Sequence, residues 1–227
     1  MLWVILPAAL LLAGSGPALA ATANGCHCFQ ERAYDPKVPF AADDYILTTT
    51  FNSLISRSFN LSKQRIVMLK MQGGVAGDDL LIGLRLAQTT QTDSQTLFDR
   101  RKAGTAWPAL LAGINPAPEL AGSAWFKKLK TGGPAAEAGE AVADRMLVEF
   151  FKVQPGRMEE LRSAGLDARA LSLALILAHY TGREPEFFIR QHQGEKKSWS
   201  EIAHLAGVTP KEAGILVLNY PEKKLTE

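Results

Sequence analysis

The sequence predicts an all-α fold, and three observations carry that prediction. Apolar residues recur at helical spacing in segment after segment, helix start and stop residues bracket those segments, and no strand-like alternation recurs. The pattern also repeats along the chain at a nearly constant offset.

The chain has 227 residues, and its elements are clearest in the second half. Val142, Met146, Phe150 and Phe151 recur at helical spacing. Pro155 suits a first helical position, and Met158 and Leu161 form the next apolar face before Gly165 stops it. Asp167 is placed to cap an apolar stretch, Leu171 to Tyr180, which is too rich in Leu, Ala and Ile for a surface helix. A further helix is expected from Pro185 to Gln193. Ser198 then starts another, with Glu201 three residues on as in a capping box. Gly207 ends that helix, and Thr209-Pro210 open the last.

The first half follows the same order. Ser62 caps a helix through Met71, Asp78-Asp79 start an apolar helix to Thr89, and Thr92-Asp93 cap a helix to Lys102. Trp107 and Trp199 stand 92 residues apart, and the same offset pairs Phe59 with Phe151, Arg65 with Arg157, Lys70 with Arg162 and Gly73 with Gly165. With one residue removed, Leu84, Leu86 and Ala87 meet Leu175, Leu177 and Ala178. These matches predict two tandem copies of one multi-helix unit, over residues 50–117 and 141–227, with the matched part of the second ending near Lys211. Residues 118–140 between them, containing Lys127-Lys128-Leu129-Lys130 and Gly132-Gly133-Pro134, read as a solvated linker. Residues 21–49 read as an N-terminal arm, extended from Phe29 to Ala41.

The apolar run Leu2 to Ala13 has the length of a signal-peptide core and is shorter than a membrane span. Gly16-Pro17 and then Ala18-Leu19-Ala20 follow, so cleavage is expected after Ala20 and the product in the periplasm or outside the cell. No later apolar run is long enough to cross a bilayer.

Lys and Arg number 25 and Asp and Glu 23, a net charge of +2. That gives no strong field toward nucleic acid or an anionic membrane. The two cysteines, Cys26 and Cys28, flank His27. Three readings stay open: a disulfide within or between chains, a metal site for Zn or Cu(I), or no role. A fourth metal ligand would have to come from His179, His192 or His204, and c-type haem is excluded by the absence of C-x-x-C-H.

Ser198-Trp199-Ser200-Glu201-Ile202-Ala203, continued by Ala206-Gly207-Val208-Thr209-Pro210, resembles the helix-turn-helix of DNA-binding proteins. The unit also resembles an uncharacterised family of secreted bacterial proteins. Those pair an apolar helix ending in Leu-Ala-x-x-Thr-Gly, here Leu177 to Gly182, with a Gly-x-Ser-Trp-x-x-Ile-Ala-x-x-x-Gly-Val segment. The first copy departs from the pattern: Ala106-Trp107-Pro108 carries a proline where an N–H is expected, and the turn is two residues shorter. The resemblance implies a helical fold and carries over no catalytic or binding residues. Trp107, Trp199, Ile202 and Gly207 are expected to be structural, as core and turn.

For DNA binding, the helix after Pro210 offers only Lys211 to a groove before the apolar run Ile215 to Leu218. Nucleic acid is therefore disfavoured. No G-x-S-x-G, H-E-x-x-H, C-x-x-C or phosphate loop is present. His179 is expected in the core, with His192 and His204 at the surface, and the Asp43-Asp44 and Asp78-Asp79 pairs read as helix-dipole partners. The expectation is a non-catalytic interaction or scaffold protein without a cofactor, acting on an unidentified protein partner. A metal-binding or redox protein using Cys26, His27 and Cys28 is the alternative, and a DNA-binding helix-turn-helix protein a second.

Overall fold

A computed structural model describes residue 29 and residues 31–221. The cysteine motif and the expected signal peptide lie outside the described residues. Those described fold into thirteen α-helices and no strand. A first series comprises α1 (Asp43–Ser58), α2 (Lys63–Met71), α3 (Gly77–Thr89), α4 (Ser94–Lys102) and α5 (Trp107–Leu111). Two short helices follow, α6 (Pro118–Gly122) and α7 (Ala124–Lys130). The second series is α8 (Ala135–Phe151), α9 (Pro155–Arg162), α10 (Ala168–Thr181), α11 (Pro185–Gln193) and α12 (Trp199–Leu205), and α13 (Pro210–Leu218) is the last helix among the described residues.

Local chemistry accounts for most of the helix ends. Ser62, Asp93, Asp167 and Ser198 each accept the backbone N–H three residues on, removing one of the donors a helix start leaves unpaired. Thr209 and Glu212 form a complete capping box around Pro210. Gly165, Gly182 and Gly207 take left-handed φ values of 74°, 72° and 74° after their helices, where a Cβ would strain the turn.

The core is centred on α10. Every residue from Leu171 to Ala178 is buried, as so apolar a stretch requires, and the one polar side chain in it, Ser172, donates to the Arg169 carbonyl. α1, α8, α11 and α13 pack around it. Most of the apolar residues of this cluster come from α1, α8 and α10. A second, smaller cluster joins Ile82 and Leu86 of α3 to Leu97, Trp107, Leu110, Leu111, Leu120, Phe126, Leu129 and Ala138. Because α3 and α8 each contribute to both clusters, the two are continuous through those helices.

The packing order is not the chain order. α1 lies on α10, α12 and α13, whereas α8 lies on α3 and α7. Each series thus seats its long first helix on the third helix of the other.

Two expectations are corrected here. Residues 118–140 are not a linker: α6, α7 and the first turn of α8 occupy them, with Leu120, Phe126 and Leu129 buried. Phe126 and Leu129 stand three apart and face inward together, while Lys127, Lys128 and Lys130 cover the outer side. The lysine cluster hid this apolar face, and cations in the last turn suit the helix dipole. The series also begin earlier than 50 and 141. α1 starts at Asp43, with the Asp43-Asp44 pair in its first turn as their reading as dipole partners expects, and α8 starts at Ala135.

Candidate functional site

The polar residues singled out from sequence are mostly committed to structure. The Asp43 carboxylate reaches across the fold and accepts the backbone N–H of Trp199 at 3.0 Å and of Ser200 at 2.8 Å, and the Ser200 hydroxyl at 2.8 Å. It supplies the acidic partner at the start of α12 that the spacing assigned to Glu201. Asp79 accepts the Trp107 indole N–H at 2.7 Å and the Arg101 Nε at 3.2 Å. Arg101 also lies 5.3 Å from the Trp107 ring and donates to the Thr105 carbonyl at 2.8 Å. Both carboxylates sit in the first turn of a helix, so they serve the dipole while their side chains tie down a distant element.

Trp107 and Trp199 are each 3% exposed and Ile202 is buried, in keeping with core packing, and Gly207 makes the left-handed turn. His192 stacks on Trp199 with ring centroids 4.5 Å apart, its Nδ1 2.9 Å from the Lys197 carbonyl. His179 is not in the core. It is exposed at the last turn of α10, against Tyr220 at 4.5 Å, because the apolar run of that helix ends at Ala178. His204 is exposed beside Tyr34. Among the described residues no group of three His, Cys, Asp or Glu is close enough to hold a metal ion.

The helix in the recognition position, α13, is turned inward. Ala213, Gly214 and Val217 are buried, and a Cβ on Gly214 would lie 2.8 Å from Thr49 Cγ2 and 2.9 Å from Ser53 Oγ of α1. Lys211, Glu212 and Ile215 are what it leaves exposed. No described helix is long and apolar enough to cross a membrane.

Several concave features draw on both series; one of them is a groove of about 320 Å³. Its apolar floor includes Phe51 and Ile55 of α1, Leu81 of α3 and Ala143 of α8. Lys70 and Arg169 line it on the side of α2 and α10, and Asp78, Glu140 and Arg162 on the side of α3, α8 and α9. Gly139 lets α3 and α8 meet: a Cβ there would sit 2.9 Å from the Asp78 Cα.

The charges lining this groove are unevenly matched. Arg162 donates through Nε to Asp144 at 2.7 Å, lies 3.4 Å from Glu140 and also reaches the Leu166 carbonyl. Arg169 pairs with Asp167 at 3.0 Å. Lys70 donates to the neutral Asn52 Oδ1 at 2.8 Å, and among the described residues no carboxylate lies within ion-pair distance of it. Burial, with Arg169 nearby, lowers the Lys70 ammonium to about 8. On the other wall burial raises Asp78, and the negative charges of Asp79 and Glu140 add to the rise. Lys70 was visible from sequence only as the match of Arg162. Asn52, buried on α1, carried no signal of its own.

Comparison of the chain with known protein families, with curated proteins and with solved structures finds no match.

Proposed function

We propose that this protein is an exported, non-catalytic helical interaction protein, built from two copies of one unit that exchange their first helices, with its partner site in the groove between them. The duplication is supported by register. α1 and α8 begin 92 residues apart, α2 and α9 also 92, α3 and α10 91, α4 and α11 91, and α5 and α12 92. Polar contacts repeat at the same offsets. Lys70 on Asn52 corresponds to Arg162 on Asp144, and Arg65 on Gln95 corresponds to Arg157 on Glu186.

The observation that carries the interaction role is the groove itself. It lies where the two series meet, it has the size of a small-ligand site, and it combines an apolar floor with a few charged groups. Carboxylates elsewhere that could have served as acid or base, Asp43 and Asp79, are occupied as structural acceptors. Export is supported by the apolar run Leu2 to Ala13 followed by Ala18-Leu19-Ala20.

Intact-mass spectrometry of the protein recovered from the periplasm of an expressing Gram-negative cell tests this reading. A mass beginning at Ala21 is expected, two hydrogens light if Cys26 and Cys28 have paired. A full-length cytoplasmic product would sink the export reading. A metal adduct under native conditions that vanishes in the Cys26→Ser, Cys28→Ser double variant would replace the scaffold role with a metal-handling one.

A further inference from the structure

We propose that the groove between the two series binds a small amphiphilic monocarboxylate, its head group at Lys70 and its apolar body over Phe51, Ile55 and Leu81. The proposal rests on reading that groove as the partner site, and it names the ligand class.

The two series differ in charge at one pair of equivalent positions, Asn52 and Asp144. In the second series the partly buried cation Arg162 faces Asp144, and the pair is neutral. In the first series the same place on α1 holds Asn52, an amide, while the cation is retained as Lys70. The fold therefore keeps one positive charge partly desolvated without a fixed counter-charge. Such a charge is costly unless something pairs with it. A carboxylate is the smallest group that supplies both a negative charge and acceptors for the ammonium protons left over from Asn52.

Neighbouring groups narrow the ligand further. Arg169, on the same wall, adds a second positive charge; its half-exposed partner Asp167 also lines the groove, which leaves Lys70 as the cation there without a paired carboxylate among the described residues. Burial and that arginine both disfavour the ammonium, and an anion at this end would offset both by pairing with the charge. The opposite wall carries Asp78 and Glu140, which repel each other, and Arg162, whose charge is already met by Asp144 and Glu140, so a second anionic group on the ligand would be repelled there. A single carboxylate on an apolar chain satisfies both walls. Phe51, Ile55, Leu81 and Ala143 give that chain a dry surface, and about 320 Å³ is room for a body of a few carbons.

The test is a methyl-labelled NMR titration of the full exported chain with hexanoate, and with hexylamine as the cationic counterpart. Hexanoate is expected to shift the methyls of Ile55 and Leu81 saturably, with one site. Lys70→Gln should weaken it at least tenfold, Lys70→Arg should retain it, and hexylamine should leave the methyls in place. Should Lys70→Gln lose the native spectrum, the half-exposed Arg169→Gln replaces it, with several-fold weakening expected. Equal binding of hexanoate and hexylamine would overturn the carboxylate assignment while leaving an apolar groove. No methyl response to either probe would overturn the site altogether. A failure of export, read by mass, would leave this titration unchanged, so the two failures are distinguishable.

Discussion

At the residue scale, the fold uses buried charge in two ways. Asp43 and Asp79 hold neutral N–H groups and an arginine, so their burial is compensated by hydrogen bonds. Lys70 is compensated only by an amide oxygen. Its folded pKa, about 8, lies below the ordinary 10.5, so between those values the unfolded chain binds more protons than the folded one. Stability is therefore expected to rise as pH increases from about 8 toward 10.5, as the burial penalty on the charged amine is relieved. Tyr220, whose phenol is raised by burial, opposes this only above its ordinary value of 10.0. Urea unfolding at pH 7.5 and 9.5 measures the effect. Lys70→Met should flatten the rise, and an unchanged slope in that variant would remove Lys70 as its source.

At the element scale, close helix crossings depend on glycine. Gly214 brings α13 against α1 where Thr49 and Ser53 leave no room for a Cβ, and Gly83 lies under the ring of Phe98, whose Cε1 would be 2.4 Å from a new Cβ. Gly214→Ala should cost about 1 to 3 kcal/mol by overpacking, despite alanine's better helix propensity. The chemical-denaturation midpoint reads this. A midpoint equal to or above that of the parent chain would show that α13 moves aside freely. The same crossing fixes which face of α13 is covered: its small residues lie on α1, and Lys211, Glu212 and Ile215 remain exposed. The helix ends themselves were legible in sequence. Ser62, Asp93, Asp167, Thr209 and the left-handed glycines act within three or four residues of where they stand.

At the scale of the whole molecule, the exchange of α1 and α8 makes each half incomplete. Without α1, the apolar faces of α10 and α13 lose their cover; without α8, α3 and α7 lose theirs. Residues 29–131 and 132–221 expressed separately are expected to be poorly folded. Co-expressed, they should assemble into a 1:1 complex with the far-ultraviolet circular dichroism of the intact chain. If either half alone gives a cooperative unfolding transition, the interlocked arrangement is not needed for folding.

The sequence by itself determined the helical class and, outside residues 118–140, most of the helix starts and the turns that end them. Those features depend on residues close together in the chain: a side chain three positions from the N–H it accepts, a glycine at the turn it allows, apolar residues one helical turn apart. Only the tertiary structure decided which helix covers which. It alone showed that the lysine-rich stretch is the outer face of α7, that His179 leaves the core, that Asp43 caps α12, and that Asn52 stands opposite a buried cation. Each of these joins groups from different helices or depends on where the packed core ends. Helical spacing states that a face is apolar, but not what it will meet. The groove is the strongest case, because its walls come from α1, α2, α3, α8, α9 and α10 and exist only once α1 and α8 have crossed to the other series.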